Sequence, residues 1–270
     1  SSRRRHTRYI SVTGVQTCAL PICDALFYRG WLAYADSLMT LCVFSAIACL
    51  WVAVLRRQGD LLWPAVMLVT AGFLAKVQTA YLFYAVAVVV LAVERDGRRF
   101  LLSVHSIVAH AAAVAGLFAW NAYFTHGTQS ASTAIDIILK IKSVDIADYL
   151  NQLWSFPLET FARFLPVSGV AAYYLWRKRT PAAAERFPAF PWLTLAAILV
   201  LNYLPYWYGP KTHIRYIMPL YPLAALGLAA AIWQFGERPR QVALRWLAGA
   251  IVLRYADRKS TRLNSSHTDI

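Results

Sequence analysis

The stretch His213-Ile214-Arg215-Tyr216-Ile217-Met218-Pro219-Leu220-Tyr221-Pro222 opens a long apolar run that continues to Phe235. Two ionisable side chains precede the run, and two prolines lie about one helical turn apart inside it. A proline inside a helix frees the carbonyl four residues earlier, which for Pro219 is the carbonyl of Arg215. Charge beside an apolar helix is costly in lipid and is often functional. The stretch therefore predicts a membrane helix that begins loosely next to a cation.

Both ends of the chain match translated sequencing adapter. The codons of a short-read adapter give residues 12–22 and 257–267, and one sample index explains the residues beside them in both orientations. We therefore interpret residues 1–23 as non-native and disordered, and residues 257–270 as non-native. The expected native body is residues 24–256, a transmembrane core that is incomplete at both ends.

The charge of this body indicates a membrane protein. Removing the 7 basic and 2 acidic residues of the terminal segments from the 27 and 13 of the full chain leaves 20 and 11, a net charge of +9. Basic charge alone would suggest a nucleic-acid partner. Here the charges separate apolar runs of roughly 20 residues, which is typical of loops between membrane helices. No nucleic acid is therefore expected as a partner.

The apolar runs predict an all-α, polytopic integral membrane protein with about seven spanning helices plus a partial one. One run is too long for a single helix and is expected to form two short helices joined near Lys76. The partial helix starts near Val242 and is cut by the adapter. The predicted spanning runs cover residues 37–55, 61–93, 101–124, 158–176, 191–208 and 217–235.

Loop charges predict the orientation in the membrane. Loops on one side hold twelve Lys and Arg residues, against seven on the other, and the richer side is expected to face the cytoplasm. This places Asp36, Lys76 and residues 211–216 together on the outer side. The richer set is Arg56, Arg57, Arg95, Arg98, Arg99, Arg177, Lys178, Arg179, Arg186, Arg238, Arg240 and Arg245. The poorer set is Arg29, Lys76, Lys140, Lys142, Arg163, Lys211 and Arg215.

The outer loop at residues 125–157 is the one long stretch predicted not to span the membrane. Its apolar residues recur at three- and four-residue spacing, which predicts one or two helices lying in the membrane interface. The loop is either a connector that rests on the membrane, which we favour, or a lid that contacts substrate.

The cations around residue 213 are candidates for binding an anionic headgroup. Arg215 offers a planar fork that suits phosphate oxygens, and Lys211 offers a mobile point charge. Against this, Tyr and Trp line membrane interfaces in any case, and Lys or Arg at helix ends extend towards water. Physical reasoning from the residues leaves both interpretations open.

Other ionisable residues are expected to be structural. Asp36 suits a helix N-cap or an ion-pair partner better than a catalytic role. His105 and His110 differ by five positions and fall on different faces of a helix, so packing is expected rather than metal binding. Because no ligand spacing is present, we predict no metal site and no cofactor, although a divalent metal ion is not excluded.

Three stretches resemble one enzyme family. His-x-Arg-Tyr-x-x-Pro-x-x-Pro at residues 213–222 resembles the late segment of glycosyltransferase family 39 and its bacterial relatives. These are the aminoarabinose, galacturonic acid and protein O-mannosyl transferases of the GT-C membrane fold. Residues 35–41 resemble the start of a spanning helix in that family, and residues 71–76 resemble a helix end that carries a lysine, with Ala75-Lys76-Val77 in place of the usual Thr-Lys-Gly.

The resemblance implies transfer of a sugar from a polyprenyl-phosphate donor to a lipid, glycan or protein acceptor on the outer face of a membrane. The implied location is a bacterial inner membrane, with the site facing the periplasm or exterior. The family's catalytic carboxylate is expected upstream of Asp24, so this chain alone is expected to be inactive. The implied substrate-binding residues are Lys76, Arg215, Lys211, His213, Tyr216 and Asp36.

Two alternatives to a glycosyltransferase remain. A transporter or flippase of a lipid-linked substrate would also use intramembrane cations and proline-broken helices. It would usually show two related halves and ionisable groups near the bilayer midplane, and the sequence shows neither. A structural membrane subunit without any site is the third interpretation.

Overall fold

The computed structural model describes residues 35–75, 79–124, 146–176, 191–209, 212–234 and 237–265. These residues form helices and turns and no strand, so the predicted all-α class is confirmed for the described part of the chain. The α-helices are α1 (Ala35–Arg56), α2 (Leu62–Ala75), α3 (Thr79–Val93), α4 (Arg95–Leu101), α5 (Val104–Phe124), α6 (Ile146–Arg163), α7 (Val167–Trp176), α8 (Trp192–Tyr208), α9 (Tyr221–Gln234) and α10 (Glu237–Ser265). Two 3-10 helices cover Gly59–Leu61 and Ile214–Leu220.

The described helices fall into two compact units. The larger unit takes its described residues from 35–159 and 191–223, and the smaller one from 160–176 and 224–265. The predicted disordered segment 1–23 lies outside the described residues, as does Asp24. Helix α10 continues through residues 257–265, which the sequence assigns to adapter.

The core of the larger unit is built on α1, which packs against α2 and α3. Val43, Ile47 and Leu50 on α1 are fully buried. Gly72 on α2 lies so close to α1 that a Cβ atom there would be 3.2 Å from the Cβ of Cys42. The small residue at this position therefore lets the two helices approach closely.

Two polar side chains inside the larger unit, Asn202 and His110, have backbone or side-chain partners. The buried amide Nδ2 of Asn202 donates to the carbonyl of Ile198 at 2.9 Å and to that of Phe83 at 3.5 Å. His110 lies 3.3 Å from the Tyr84 hydroxyl through Nε2, and its Nδ1 lies 2.7 Å from the carbonyl of Ser106. In lipid such groups must be satisfied internally, and these contacts meet that requirement.

One end of the larger unit collects basic side chains. Arg57 pairs with Asp96 at 3.2 Å across the ends of α1 and α4, and the Thr194 hydroxyl donates to the Glu94 carboxylate at 3.4 Å. This end holds two of the loops that the sequence predicts to be cytoplasmic, those at Arg56 and Arg95. The ion pair itself is exposed and contributes little to stability, at about 0–1 kcal/mol.

The smaller unit has its own apolar cluster. Val167 and Ala171 of α7 pack with Ile232 of α9 and Ala243 of α10. The start of α7 differs from the prediction, because the apolar run 158–176 does not form one helix. Helix α6 ends at Arg163 and a turn precedes α7. Pro166 lies in that turn, and it has no N–H to continue a helix.

The prediction of seven spanning helices is not met. Two described helical stretches, Ala35–Arg56 and Ile214–Ile232, are long and apolar enough to cross a membrane. Counting α4 with the start of α5 as one span bent by 64° adds a third. Helices α2 and α3 have 14 and 15 residues, or about 21 and 22 Å, which is shorter than the roughly 30 Å hydrocarbon core. The apolar content of a sequence run predicts a spanning helix but does not show where that helix breaks.

Candidate functional site

The candidate site begins with the cation segment, residues 213–220, which connects α8 to α9. The backbone of this segment is extended at His213 and then forms the 3-10 helix Ile214–Leu220, which contains Pro219. The N–H of Tyr216 donates to the carbonyl of His213 at 3.0 Å. The sequence predicted that proline would loosen the helix beside the cation, and the 3-10 geometry agrees with that prediction.

Burial divides the cation segment into an anchored half and an open half. Residues 217–220 are buried, and the segment packs against α1 and α8. The Tyr221 hydroxyl donates back to the carbonyl of Ile214 at 3.4 Å. His213 and Arg215 are exposed. The fold therefore fixes the backbone of the segment and presents its ionisable side chains outward.

The ring of Tyr216 lies next to both ionisable side chains of the cation segment. The guanidinium carbon of Arg215 lies 5.3 Å from the centroid of the Tyr216 ring, within range of a cation–π contact. The His213 ring centroid lies 6.1 Å from the same ring. Among the residues that the structure describes, Arg215 has no carboxylate within ion-pair distance. Because Arg215 is exposed, its hydrogen-bond donors can reach an anion from outside the protein.

Aromatic rings surround the end of α8 that leads into the cation segment. Tyr206 stacks on Phe83 at 5.7 Å, and Trp207 stacks on Tyr208 at 4.9 Å. Tyr203 contacts Phe156 of α6 at 5.4 Å. Amphipathic rings of this kind favour the level of lipid headgroups. The end of α8 is therefore suited to the boundary between lipid and water.

Helix α6 is tied to the same end of α8 by hydrogen bonds to backbone carbonyls. The Gln152 amide donates to the carbonyl of Gly209 at 2.6 Å, and the Tyr149 hydroxyl donates to that of Tyr208 at 3.2 Å. In return, the Trp207 indole donates to the carbonyl of Leu153 at 2.9 Å. Three bonds at the terminus of α8 fix the point where the chain leaves the helix.

Gly209 allows the turn out of α8. A Cβ atom there would lie 2.8 Å from the carbonyl oxygen of Pro205 and 2.7 Å from the hydroxyl of Thr212. The Thr212 hydroxyl itself donates to the carbonyl of Gly209 at 2.7 Å. A side chain at this position would displace the backbone just before the cation segment.

The structure places four of the six predicted site residues. Arg215, His213 and Tyr216 share the cation segment, and Asp36 lies half-buried in the first turn of α1, where its carbonyl accepts the Thr40 hydroxyl at 2.7 Å. Helix α1 packs against the cation segment. The other two predicted residues, Lys76 and Lys211, lie outside the described residues.

The junction that carries Lys76 is flanked by described helices. The Thr79 hydroxyl on α3 donates to the sulfur of Met39 on α1 at 3.8 Å. The start of α3 and the start of α1 therefore lie at the same end of the larger unit. The Thr70 hydroxyl of α2 lies 3.0 Å from the Tyr81 hydroxyl of α3, so the two helices pack side by side and are not one continuous helix, as predicted for the run around Lys76.

Sequence reasoning missed Gln152 and Tyr149 as residues that support the site. Both donate to carbonyls rather than to side chains, so no residue pattern marks the partner. The three- and four-residue spacing of apolar residues in this segment predicts a helix in the membrane interface, but it marks neither of these donors. Within the described ranges, no group of three or more His, Cys, Asp or Glu side chains could hold a metal ion.

Comparison with protein-family models, curated proteins and solved structures gives no match for this chain. The described chain is an all-α protein with helices that are long and apolar enough to cross a membrane, and it exposes a cation–aromatic segment at one end of its larger unit.

Removing the indole donor of Trp207 should loosen α6 from α8. The Trp207→Phe variant keeps an aromatic ring but loses a hydrogen bond worth about 1 kcal/mol. We expect backbone amides in residues 146–158 to exchange about 5-fold faster in hydrogen–deuterium exchange measured by mass spectrometry. Trp63→Phe, on α2, is the matched control and should leave this exchange unchanged. Equal exchange rates in both variants would show that the bond does not hold α6.

Proposed function

We propose that this chain is part of a membrane glycosyltransferase that uses a polyprenyl-phosphate sugar as donor. The cation segment would hold the phosphate of the donor, with Arg215 as the principal contact and His213 as a second one. The ring of Tyr216 would hold the Arg215 guanidinium in place through the cation–π contact. Lys76, Lys211 and Asp36 complete the proposed substrate-binding set, on the basis of the family resemblance.

The exposed guanidinium of Arg215 over the ring of Tyr216 is the observation that carries the proposal. A phosphate monoester or diester matches the planar fork of arginine, and stacking on an aromatic ring reduces the rotamer freedom lost on binding. The neighbouring aromatic rings suit the headgroup level of a lipid. Phosphate carried on a lipid is therefore the ligand class that fits both features.

The proposed reaction is a substitution at the anomeric carbon of the donor sugar. A nucleophilic oxygen of the acceptor forms a bond to that carbon, and the bond from the carbon to the phosphate oxygen breaks. The electron pair leaves with the polyprenyl phosphate, and the acceptor proton passes to a base. Arg215 would stabilise the negative charge that grows on the leaving phosphate. The resemblance implies that this base would be a carboxylate.

The proposed setting is a multi-pass protein of a bacterial inner membrane. The end that carries Arg57 and Asp96 would face the cytoplasm, and the cation segment would face the periplasm or exterior. A membrane-impermeant maleimide tests this orientation in intact cells. A cysteine at position 213 should be labelled and a cysteine at position 57 should be protected. The opposite pattern would reverse the topology.

Sugar transfer is the direct test of the proposed function. Membranes that contain the full-length protein would be supplied with undecaprenyl phosphate that carries radiolabelled aminoarabinose, galacturonic acid or mannose. We expect one donor to lose its label to lipid, glycan or protein, with release of undecaprenyl phosphate. If no donor is consumed but labelled donor crosses the bilayer of sealed vesicles, the protein is a flippase and the transferase proposal fails.

A further inference from the structure

Helix α6 has an exposed apolar face with regular spacing. Ile146, Leu150, Trp154 and Leu158 recur every four residues and are 75%, 56%, 84% and 70% exposed. Side chains at this spacing lie on one side of a helix. An apolar stripe of this size that remains uncovered by the protein itself indicates a surface with an apolar partner.

Two other faces of α6 differ in character from this stripe. Asn151, Ser155 and Glu159 form an exposed polar face, again at four-residue spacing. The third face, which contains Gln152 and the buried Phe156, packs on the protein through the hydrogen bonds to α8. The helix therefore has one apolar, one polar and one protein-bound side.

The protein-bound side sets the level of α6 relative to α8. Its hydrogen bonds reach the last residues of α8, at Trp207, Tyr208 and Gly209. The end of an apolar helix with Tyr and Trp side chains suits the headgroup boundary of a bilayer. Helix α6 is held at that same boundary.

We propose that α6 lies in the outer interface of a phospholipid bilayer, with Leu150, Trp154 and Leu158 inserted among the acyl chains and Ser155 turned to water. Residues 149–158 contain no charged side chain, so insertion of the apolar face does not require a charge to enter the lipid. A tryptophan at the centre of the apolar face is suited to the interface by its apolar ring and polar N–H. The proposal needs membrane insertion, as the proposed function does, but it does not need sugar transfer.

This placement gives α6 a function at the candidate site. Its bond from Gln152 to Gly209 fixes the residue at which the chain turns towards the cation segment. A helix held in the interface would keep that turn at headgroup depth, where a lipid-linked phosphate lies. Helix α6 would thus set the depth of Arg215 relative to the donor.

Site-specific fluorescence tests the placement. Single cysteines replace Ile146, Leu150, Asn151 or Ser155 in the full chain, with Cys18, Cys23, Cys42 and Cys49 changed to alanine, and each is coupled to the environment-sensitive dye NBD. A further cysteine at Val89, an exposed apolar residue in the middle of α3, is the control for insertion itself. The proteins are reconstituted into vesicles of phosphatidylcholine and phosphatidylglycerol.

The two faces should respond oppositely to quenchers. Dyes at positions 146 and 150 should be quenched by a lipid with a nitroxide near its headgroup, and aqueous iodide should quench them at least 5-fold less than dyes at 151 and 155, on the other side of the helix. Equal iodide quenching at all four positions, with Val89 protected, would overturn the interfacial placement and leave membrane insertion intact. Iodide access at Val89 as well would overturn both the placement and the proposed function. The dye at position 150 could instead be protected from iodide only at high protein density and remain unquenched by the nitroxide lipid. That result would assign the apolar face to a second copy of the chain and would also overturn the proposal.

Discussion

Replacing Arg215 with alanine is expected to weaken binding of undecaprenyl phosphate about 10- to 150-fold. The guanidinium is exposed over the Tyr216 ring, and hydrogen bonds to a charged group contribute about 1.5–3 kcal/mol, which corresponds to that range of dissociation constants. Arg215→Lys should recover part of the affinity, because it keeps the charge and loses the planar fork. Native mass spectrometry of the purified chain with increasing lipid gives the dissociation constants.

Two comparisons make this result specific. Undecaprenol, which has the same lipid tail and no phosphate, should bind Arg215→Ala and the unchanged protein equally. Arg57→Ala removes an exposed arginine from the opposite end of the larger unit and should bind undecaprenyl phosphate normally. Equal affinity of Arg215→Ala and Arg57→Ala for undecaprenyl phosphate would exclude Arg215 as the phosphate contact.

Replacing Gly97 with alanine is expected to cause the largest loss of stability of any glycine substitution among those that the structure describes. Gly97 lies in α4, directly against the C-terminal part of α3, and a Cβ atom there would overlap the carbonyl oxygen of Leu91. That oxygen belongs to the backbone, so it cannot rotate away, and the two helices must move apart. We expect a loss of about 3 kcal/mol, the upper part of the usual range for overpacking.

Gly116→Ala is the matched control for this substitution. Gly116 lies inside α5, and a Cβ atom there would have no neighbour within 4 Å. Because alanine favours helix by about 1 kcal/mol over glycine, this variant should be unchanged or slightly more stable. In thermal unfolding monitored by circular dichroism, the midpoint temperature should fall by roughly 6–12 °C for Gly97→Ala and should not fall for Gly116→Ala. Similar midpoints for the two variants would contradict the tight packing of α4 on α3.

The sequence predicted the parts of the fold that depend on apolar content and on proline. Helix α1 matches its predicted run within a few residues, and the break near Lys76 lies between the observed helices α2 and α3. Pro219 predicted the loosened start of the next helix, where the structure has a 3-10 helix. These features follow from short-range chemistry that each residue carries with it.

The sequence could not predict where long apolar runs break or which backbone carbonyls receive side-chain donors. Residues 158–176 are apolar enough for one helix, but the turn at Pro166 divides them between α6 and α7. The bond from Gln152 to Gly209 joins residues 57 positions apart. Such a contact depends on how α6 packs against α8, so local patterns do not contain it.

For the candidate site, the sequence named residues but not their arrangement. Arg215 and Tyr216 were both chosen as candidates, and the contact of the guanidinium with the ring appears only in the structure. Asp36 was expected to cap a helix or pair with a cation, and it lies in the first turn of α1. Neighbouring residues on a short helix can face the same or opposite sides, so composition alone leaves their contact open.

Photo-crosslinking with a diazirine placed next to the phosphate of undecaprenyl phosphate tests the central claim most directly. After irradiation in vesicles and proteolysis, we expect the label on peptides from residues 213–222, with unlabelled undecaprenyl phosphate reducing it and undecaprenol leaving it unchanged. The Arg215→Ala protein should lose most of this label. Label concentrated at the basic end around Arg57 and Arg95, or spread evenly along the apolar helices, would contradict a donor-phosphate site at the cation segment.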